Sequence, residues 1–139
     1  GNGTYTSFHK KTCIGGLIGQ ISSAVPVSVN NCYAAGQVSR VISNTAAPFY
    51  IGGLVGNTVN NILIKNSICT NYWDKEKTGQ NTLGGGNTTS AADNGFTENG
   101  KTSVEMKTAA AFVNWDFAAI WSVSATTNNG YPYLRSNNR

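Results

Sequence analysis

The apolar residues in the first half of this chain fall in short runs bracketed by glycine. Ile14–Gly19 reads IGGLIG, and Ile51–Gly56 reads IGGLVG, 37 positions later. Downstream of each hexad, apolar and polar residues alternate: Val27 and Val29 after the first, Ile62 and Ile64 after the second. Alternation with period two puts successive side chains on opposite faces of a strand and does not fit a helix. Val27 and Val29 align with Ile62 and Ile64, and Asn31 with Asn66, at a spacing of 35. The chain thus carries two copies of a unit of 35–37 residues, with a two-residue difference in the connecting loop. Repeats of this length mark solenoids, propellers and arrays.

Short strands, frequent corners and recurrence predict a parallel β-solenoid, in which equivalent positions stack at strand spacing. The glycine pairs Gly15–Gly16 and Gly52–Gly53 would then admit a neighbouring backbone that a Cβ would exclude. Ile14, Leu17, Val29, Ile51, Leu54 and Ile64 are expected in one core, with the hexads parallel and Asn31 stacked on Asn66. A phosphate-binding loop would need a helix after its glycines. QISSAVPVSVNN and NTVNNILIKN follow instead, and both are β-like. A β-sandwich with coincidental glycines is the remaining alternative.

Beyond Asp74 the pattern changes. Residues 1–74 read as the repeats, 75–101 as a loop excursion with little periodicity, and 102–139 as a cap packed on the same domain. Thr102-Ser-Val-Glu105 fits a capping box, predicting a short helix over Ser103–Phe112 with Val104, Met106, Ala110 and Phe112 as its apolar set. Trp115, Phe117, Ile120 and Trp121 supply apolar surface that is expected to cover the open end of the solenoid, where a bare strand edge invites aggregation. Asn128–Gly130 marks a turn between a strand near Trp121–Val123 and a terminal strand over Tyr131–Leu134.

Composition narrows the picture. A length of 139 residues suits one domain. Only 12% of residues are charged, and the abundance of Gly, Asn, Thr and Ser disfavours a helical cytosolic protein. The net charge of +4 is mild and Lys10–Lys11 is the only basic dipeptide, so no basic stripe for nucleic acid is present. No apolar stretch reaches the ~18 residues of a membrane helix, so no membrane insertion is expected within this segment. Cys13, Cys32 and Cys69 have no CxxC spacing, and His9 is the single histidine, too few ligands for zinc. They are expected as reduced, buried thiols in preference to a disulfide such as Cys13–Cys32. The chain starts at Gly1 with no initiating Met or signal peptide, as expected of a piece excised from something longer.

The segments IGGLIG…NNCYAAGQVS…YIGGLVG…KNSICTNYWD resemble the GLUG motif, a repeat with the pattern GGLVG followed by NCYATG. The tail, YWDKEKTGQ…GKTSVEMKTAAAFVNWDFAAIWSV…NNGYPYLR, is similar to the segment that often closes such arrays. Together the two cover most of Cys13–Arg135, and the tail motif is the more specific. The second unit departs from the pattern, having Asn66-Ser67-Ile68 in place of Asn-Cys-Tyr before it runs into Tyr72-Trp73-Asp74, which reads as a terminal unit. The family occurs in large bacterial surface proteins, including adhesin-like proteins and immunoglobulin A-specific metalloproteases. The resemblance implies a mainly β fold, a short right-handed parallel β-solenoid with a C-terminal helix-plus-strand cap, on the cell surface. It carries over no catalytic residue.

Candidate chemistry is sparse. Trp and Tyr stack on sugar rings, but Trp115 and Trp121 lie in apolar patterns and read as core. Trp73 and Tyr131 are the candidates for exposed ligand contact. Of the six acidic residues, Asp74 and Glu76 lie two apart, Glu105 is used by the capping box, and Asp116 suits a local turn. A glycosidase needs two carboxyls facing a cleft, and no pair stands out. His9 has no nucleophile elbow to serve, and the Asp93–Gly95 turn has no calcium-loop pattern around it. No catalytic residue, metal or cofactor is expected. The sequence reads as a non-catalytic extracellular structural or adhesion module of a bacterial surface protein, monomeric as an isolated fragment, with a host glycan or extracellular matrix protein as partner. The alternatives are an accessory region of a secreted peptidase-type enzyme and a glycan-binding module.

Overall fold

The structure, a computed structural model, describes residues 12–22, 29–40, 49–59, 70–85 and 99–135. These residues are mainly short strands with few helical turns. The first hexad lies between β1 (Thr12–Gly15) and β2 (Ile18–Ser22), and the second between β4 (Phe49–Gly52) and β5 (Val55–Val59). β1 pairs with β4 and β2 with β5, both parallel, with Ile14 opposite Ile51 and Ile18 opposite Val55. The 37-residue return of the sequence is therefore the spacing of two hydrogen-bonded neighbours, as expected of parallel hexads. Glycine at the corner is a spatial requirement: a Cβ on Gly56 would sit 2.5 Å from the Ile14 nitrogen.

A second small parallel sheet runs β3 (Tyr33–Ala34), β6 (Tyr72–Asp74), β7 (Gly100–Lys101). Here the register differs from the expectation. Tyr33 faces Tyr72 and Ala34 faces Trp73, a spacing of 39 and not 35. The Asn31 amide donates to Thr70 Oγ1 at 3.0 Å, which continues the 39-residue register at this position. Asn71 extends the ladder through its side chain, accepting from the Cys32 amide at 3.1 Å and donating to the Val29 carbonyl at 2.5 Å. Val27, Ile62, Ile64 and Asn66 lie outside the described residues.

The segment 75–101 is more than a loop. Leu17 and Ile18 donate their amides to the Leu54 carbonyl at 2.9 and 3.0 Å. Leu54 and Val55 repeat this geometry one layer on, both donating to the Gly84 carbonyl at 2.9 Å. Leu83–Gly85 thus stacks on the second hexad as the second stacks on the first, with a parallel bridge from Val55 to Gly85. β7 adds the matching third strand beside β6, Gly100 opposite Trp73.

Among the described residues, buried side chains form two clusters. Ile21, Ala34, Leu54, Val55 and Trp73 form the inner one, with Ile18 and Val29 against it. Leu17, expected there, is 42% exposed, and Ile14 and Ile51 are half-buried. Along the middle sheet the inward column reads Ala34, Trp73, Gly100: small, large, small. The indole occupies space its two neighbours leave. Burying such a ring removes ~150–250 Å² from water, a gross gain of roughly 4–6 kcal/mol.

The outward column carries the second cluster. Tyr72, Met106, Phe112, Trp115 and Tyr131 pack together, with Tyr33 and Trp121 against them. The tail therefore packs on the outward face of β3 and β6, the side to which Tyr33 and Tyr72 project. The capping box forms as expected: Thr102 donates its amide to Glu105 Oε2 at 2.8 Å, and Glu105 donates back to Thr102 Oγ1 at 3.2 Å. The α-helix expected after it does not. Two 3-10 turns, Glu105–Lys107 and Ala109–Ala111, are separated by Thr108 in extended geometry. Met106 is buried but Val104 is 76% exposed, so the segment presents no continuous apolar face to sustain a longer helix. β8 (Trp121–Ser122) and β9 (Tyr133–Leu134) pair antiparallel around Asn128–Gly130, where Asn128, Asn129 and Gly130 all have positive φ.

Candidate functional site

The residues after β6 build one wall of a groove. Asp74 caps α1 (Lys75–Thr78), its Oδ1 accepting from the Glu76 and Lys77 amides at 2.9 and 2.8 Å. Gly79 at φ 70 closes the turn in the left-handed conformation. An Asp and a Gly five residues apart are the sequence signal for this helix, which the reading of 75–101 as an excursion passed over. Gln80 then folds back, and its carbonyl accepts from Trp73 Nε1 at 2.8 Å.

The opposite wall is the extended segment after β3. Val38 donates its amide to the Thr78 carbonyl at 3.1 Å, and its carbonyl accepts from Gln80 Nε2 at 3.0 Å. These two bonds clamp the segment to α1. Between them and Ile51 lies a groove of about 650 Å³, lined by Gln37, Ser39, Arg40, Lys77 and Gln80 among others. Arg40 lies with its Cζ 4.3 Å from the centre of the Phe49 ring, which holds the guanidinium in place.

The two residues singled out for ligand contact are not exposed. Trp73 is fully buried and Tyr131 is 8% exposed. Trp73 faces the inner core because alternation in β6 sends Tyr72 outward and Trp73 inward. Tyr131 is drawn in by its hydroxyl, which donates to Asp74 Oδ2 at 2.6 Å. The structure brings this pair together as an internal polar bond. Burial raises the Asp74 carboxyl, but hydrogen bonds from Tyr131 and from the Lys77 and Glu76 amides together outweigh it and hold it below the usual carboxylate value. Burial, and then the same bond to Asp74, push the Tyr131 phenol up to about 12.

Glu76, Asp116 and Glu105, the other acidic residues among those described, all accept backbone bonds. Glu76 Oε2 accepts from the Ser103 amide at 2.9 Å. Asp116 Oδ1 accepts from the Ala118 and Ala119 amides at 2.9 and 2.8 Å, the turn expected of it. Hydrogen bonds from the Thr102 amide and hydroxyl lower the Glu105 carboxyl. Among the described residues, no group of three or more His, Cys, Asp or Glu side chains could hold a metal ion. Cys13 and Cys32 are free thiols, half-buried where fuller burial was expected, and Cys69 lies outside the described residues. Burial raises the Cys32 thiol. No described helix is long and apolar enough to cross a membrane.

Comparison with known proteins yields a distant relative. A "Putative Gly-rich membrane protein" of Evansella cellulosilytica is 30% identical over 122 residues, 86% of this chain. The chain spans only 11% of that protein's length. No family model matches the chain, and no solved structure matches it.

Proposed function

We propose that this chain is a non-catalytic extracellular structural and adhesion module of a bacterial surface protein. In this reading its parallel layers are turns of a short right-handed β-solenoid of the GLUG type, and the C-terminal segment braces them from the side. The observation that carries the proposal is the repeated bond pattern at the hexads, in which Leu17 and Ile18 bond to Leu54, and Leu54 and Val55 bond to Gly84. A pattern that recurs layer by layer is how a solenoid extends, and stacked layers make a stiff element suited to projecting a surface. The relative's description as a glycine-rich membrane protein, and its much greater length, agree with a module inside a long envelope protein.

The test is retention. Beads bearing the 139-residue chain are passed over immobilised host glycans and matrix proteins, with beads bearing an unrelated β-domain as control. Selective retention on one of these surfaces supports adhesion. Retention no greater than the control's on every surface removes the adhesive part of the proposal.

A further inference from the structure

The groove between Val38 and α1 has a chemistry that the adhesion reading leaves unspecified. We infer that it is a binding site for an acidic sugar, with Lys77 taking the carboxylate and Gln37, Ser39 and Gln80 taking the ring hydroxyls. The inference deepens the adhesion reading, because it names the ligand class of a surface contact.

Size and lining agree. A groove of about 650 Å³ falls within the ~300–1,000 Å³ of small-molecule clefts. Among the described residues two cations, Arg40 and Lys77, border it against one carboxylate, Glu76, and Glu76 has an oxygen occupied by the Ser103 amide. The Lys77 ammonium and the Gln37 and Ser39 side chains have no bonding partner among the described residues. Gln80 spends its Nε2 on Val38 and leaves its amide oxygen to accept. Residues with donors and acceptors therefore line one groove together with the aliphatic Ile51, a combination that suits a sugar ring.

Other ligands fit less well. Among the described lining residues there is no aromatic ring for a nucleobase to stack on. An extended acidic peptide binds most readily by adding a strand to a free edge. The Val38 amide and carbonyl are already committed to Thr78 and Gln80, so this wall offers no such edge there.

The experiment is calorimetric titration of the 139-residue chain with a galacturonate tetramer, a neutral galactose tetramer and a tetra-aspartate peptide. Binding is expected for the acidic sugar alone. Lys77→Glu is expected to weaken it by about tenfold or more, and Lys77→Arg to restore most of it. Ser39→Trp, at an exposed position, is expected to block the groove. An unchanged melting temperature in each variant separates loss of binding from loss of fold. Equal affinity for the neutral sugar, indifference to Lys77→Glu, or preference for the peptide would each overturn the inference. Bead retention that persists while the titration fails would sink this site and spare the adhesion reading. Titration that succeeds without retention would do the reverse.

Discussion

Tyr131 and Asp74 stand fifty-seven positions apart in the chain, and the Tyr131 hydroxyl donates to Asp74 Oδ2 at 2.6 Å. Asp74 uses its other oxygen to cap α1, so one buried carboxylate joins the middle strand, the groove wall and the tail. Tyr131→Phe keeps the ring and deletes the donor. It is expected to cost about 1–3 kcal/mol in denaturant unfolding, since a buried carboxylate oxygen loses its partner.

The same pair sets the pH response. The Asp74 value is depressed in the folded state, so its contribution is complete above the unfolded value of ~3.9 and is lost as pH falls through the folded one. The Tyr131 value is raised from 10.0 to about 12, so its contribution is complete below 10 and is lost as pH climbs through that interval. Unfolding free energy against pH should therefore fall at both ends. Tyr131→Phe should abolish this phenol's share of the alkaline loss, and Asp74→Asn the carboxylate's share of the acid loss.

Trp115 anchors the tail by area and by one polar bond. Its ring centre lies 4.7 Å from that of Phe112, and its Nε1 donates to the Thr70 carbonyl at 2.7 Å. Trp115→Ala is expected to cost about 3–5 kcal/mol. Trp115→Phe, which loses the donor and part of the ring, should cost less, and the difference between the two is measurable by the same unfolding curves. Unchanged stability in Trp115→Ala would refute its role as core.

Glycines separate cleanly by what surrounds them. A Cβ on Gly53 would fall 2.5 Å from Trp73 Cγ, and one on Gly100 would fall 2.6 Å from Trp73 Cζ2. Gly53→Ala and Gly100→Ala must each push the indole out of place, at an expected cost of about 1–3 kcal/mol or more. Gly36 has nothing within 4 Å, so Gly36→Ala should be neutral or stabilising by up to about 1 kcal/mol. A melting series of the three variants checks the order.

The hexads were legible in the sequence because glycine spacing and apolar identity recur together at one interval, and parallel pairing needs both. The middle sheet was not. Its described partners, Tyr33 and Tyr72, are aligned by backbone bonding and only weakly by sequence, whereas the 35-residue alignment draws the eye to Val27-x-Val29 and Ile62-x-Ile64. The burial of Trp73 was hidden by its polar neighbours Asn71, Asp74 and Lys75, since a three-residue strand is too short to display alternation. Thr102 and Glu105 announced their cap correctly, because that motif is local. The helix beyond it depended on packing that the Ala-rich segment does not obtain. The groove was invisible, for it joins residues 37–40 to 76–80 through one backbone bond and one bond from the Gln80 side chain, neither of which any hydrophobic pattern encodes.

Register changes from 37 at the hexads to 39 at the paired tyrosines. The second copy therefore holds two more residues than the first between Gly56 and Tyr72, while every described strand pair remains aligned. The two extra residues fall between Val59 and Thr70 and leave the ladders on either side aligned. Copies of such a unit are free to diverge there by insertion and deletion, whereas the hexads and tyrosine strands are confined to point substitution. For protein engineering, the stretch between Val59 and Thr70 is accordingly the place to graft a foreign peptide, with the stacked backbone serving as its fixed frame.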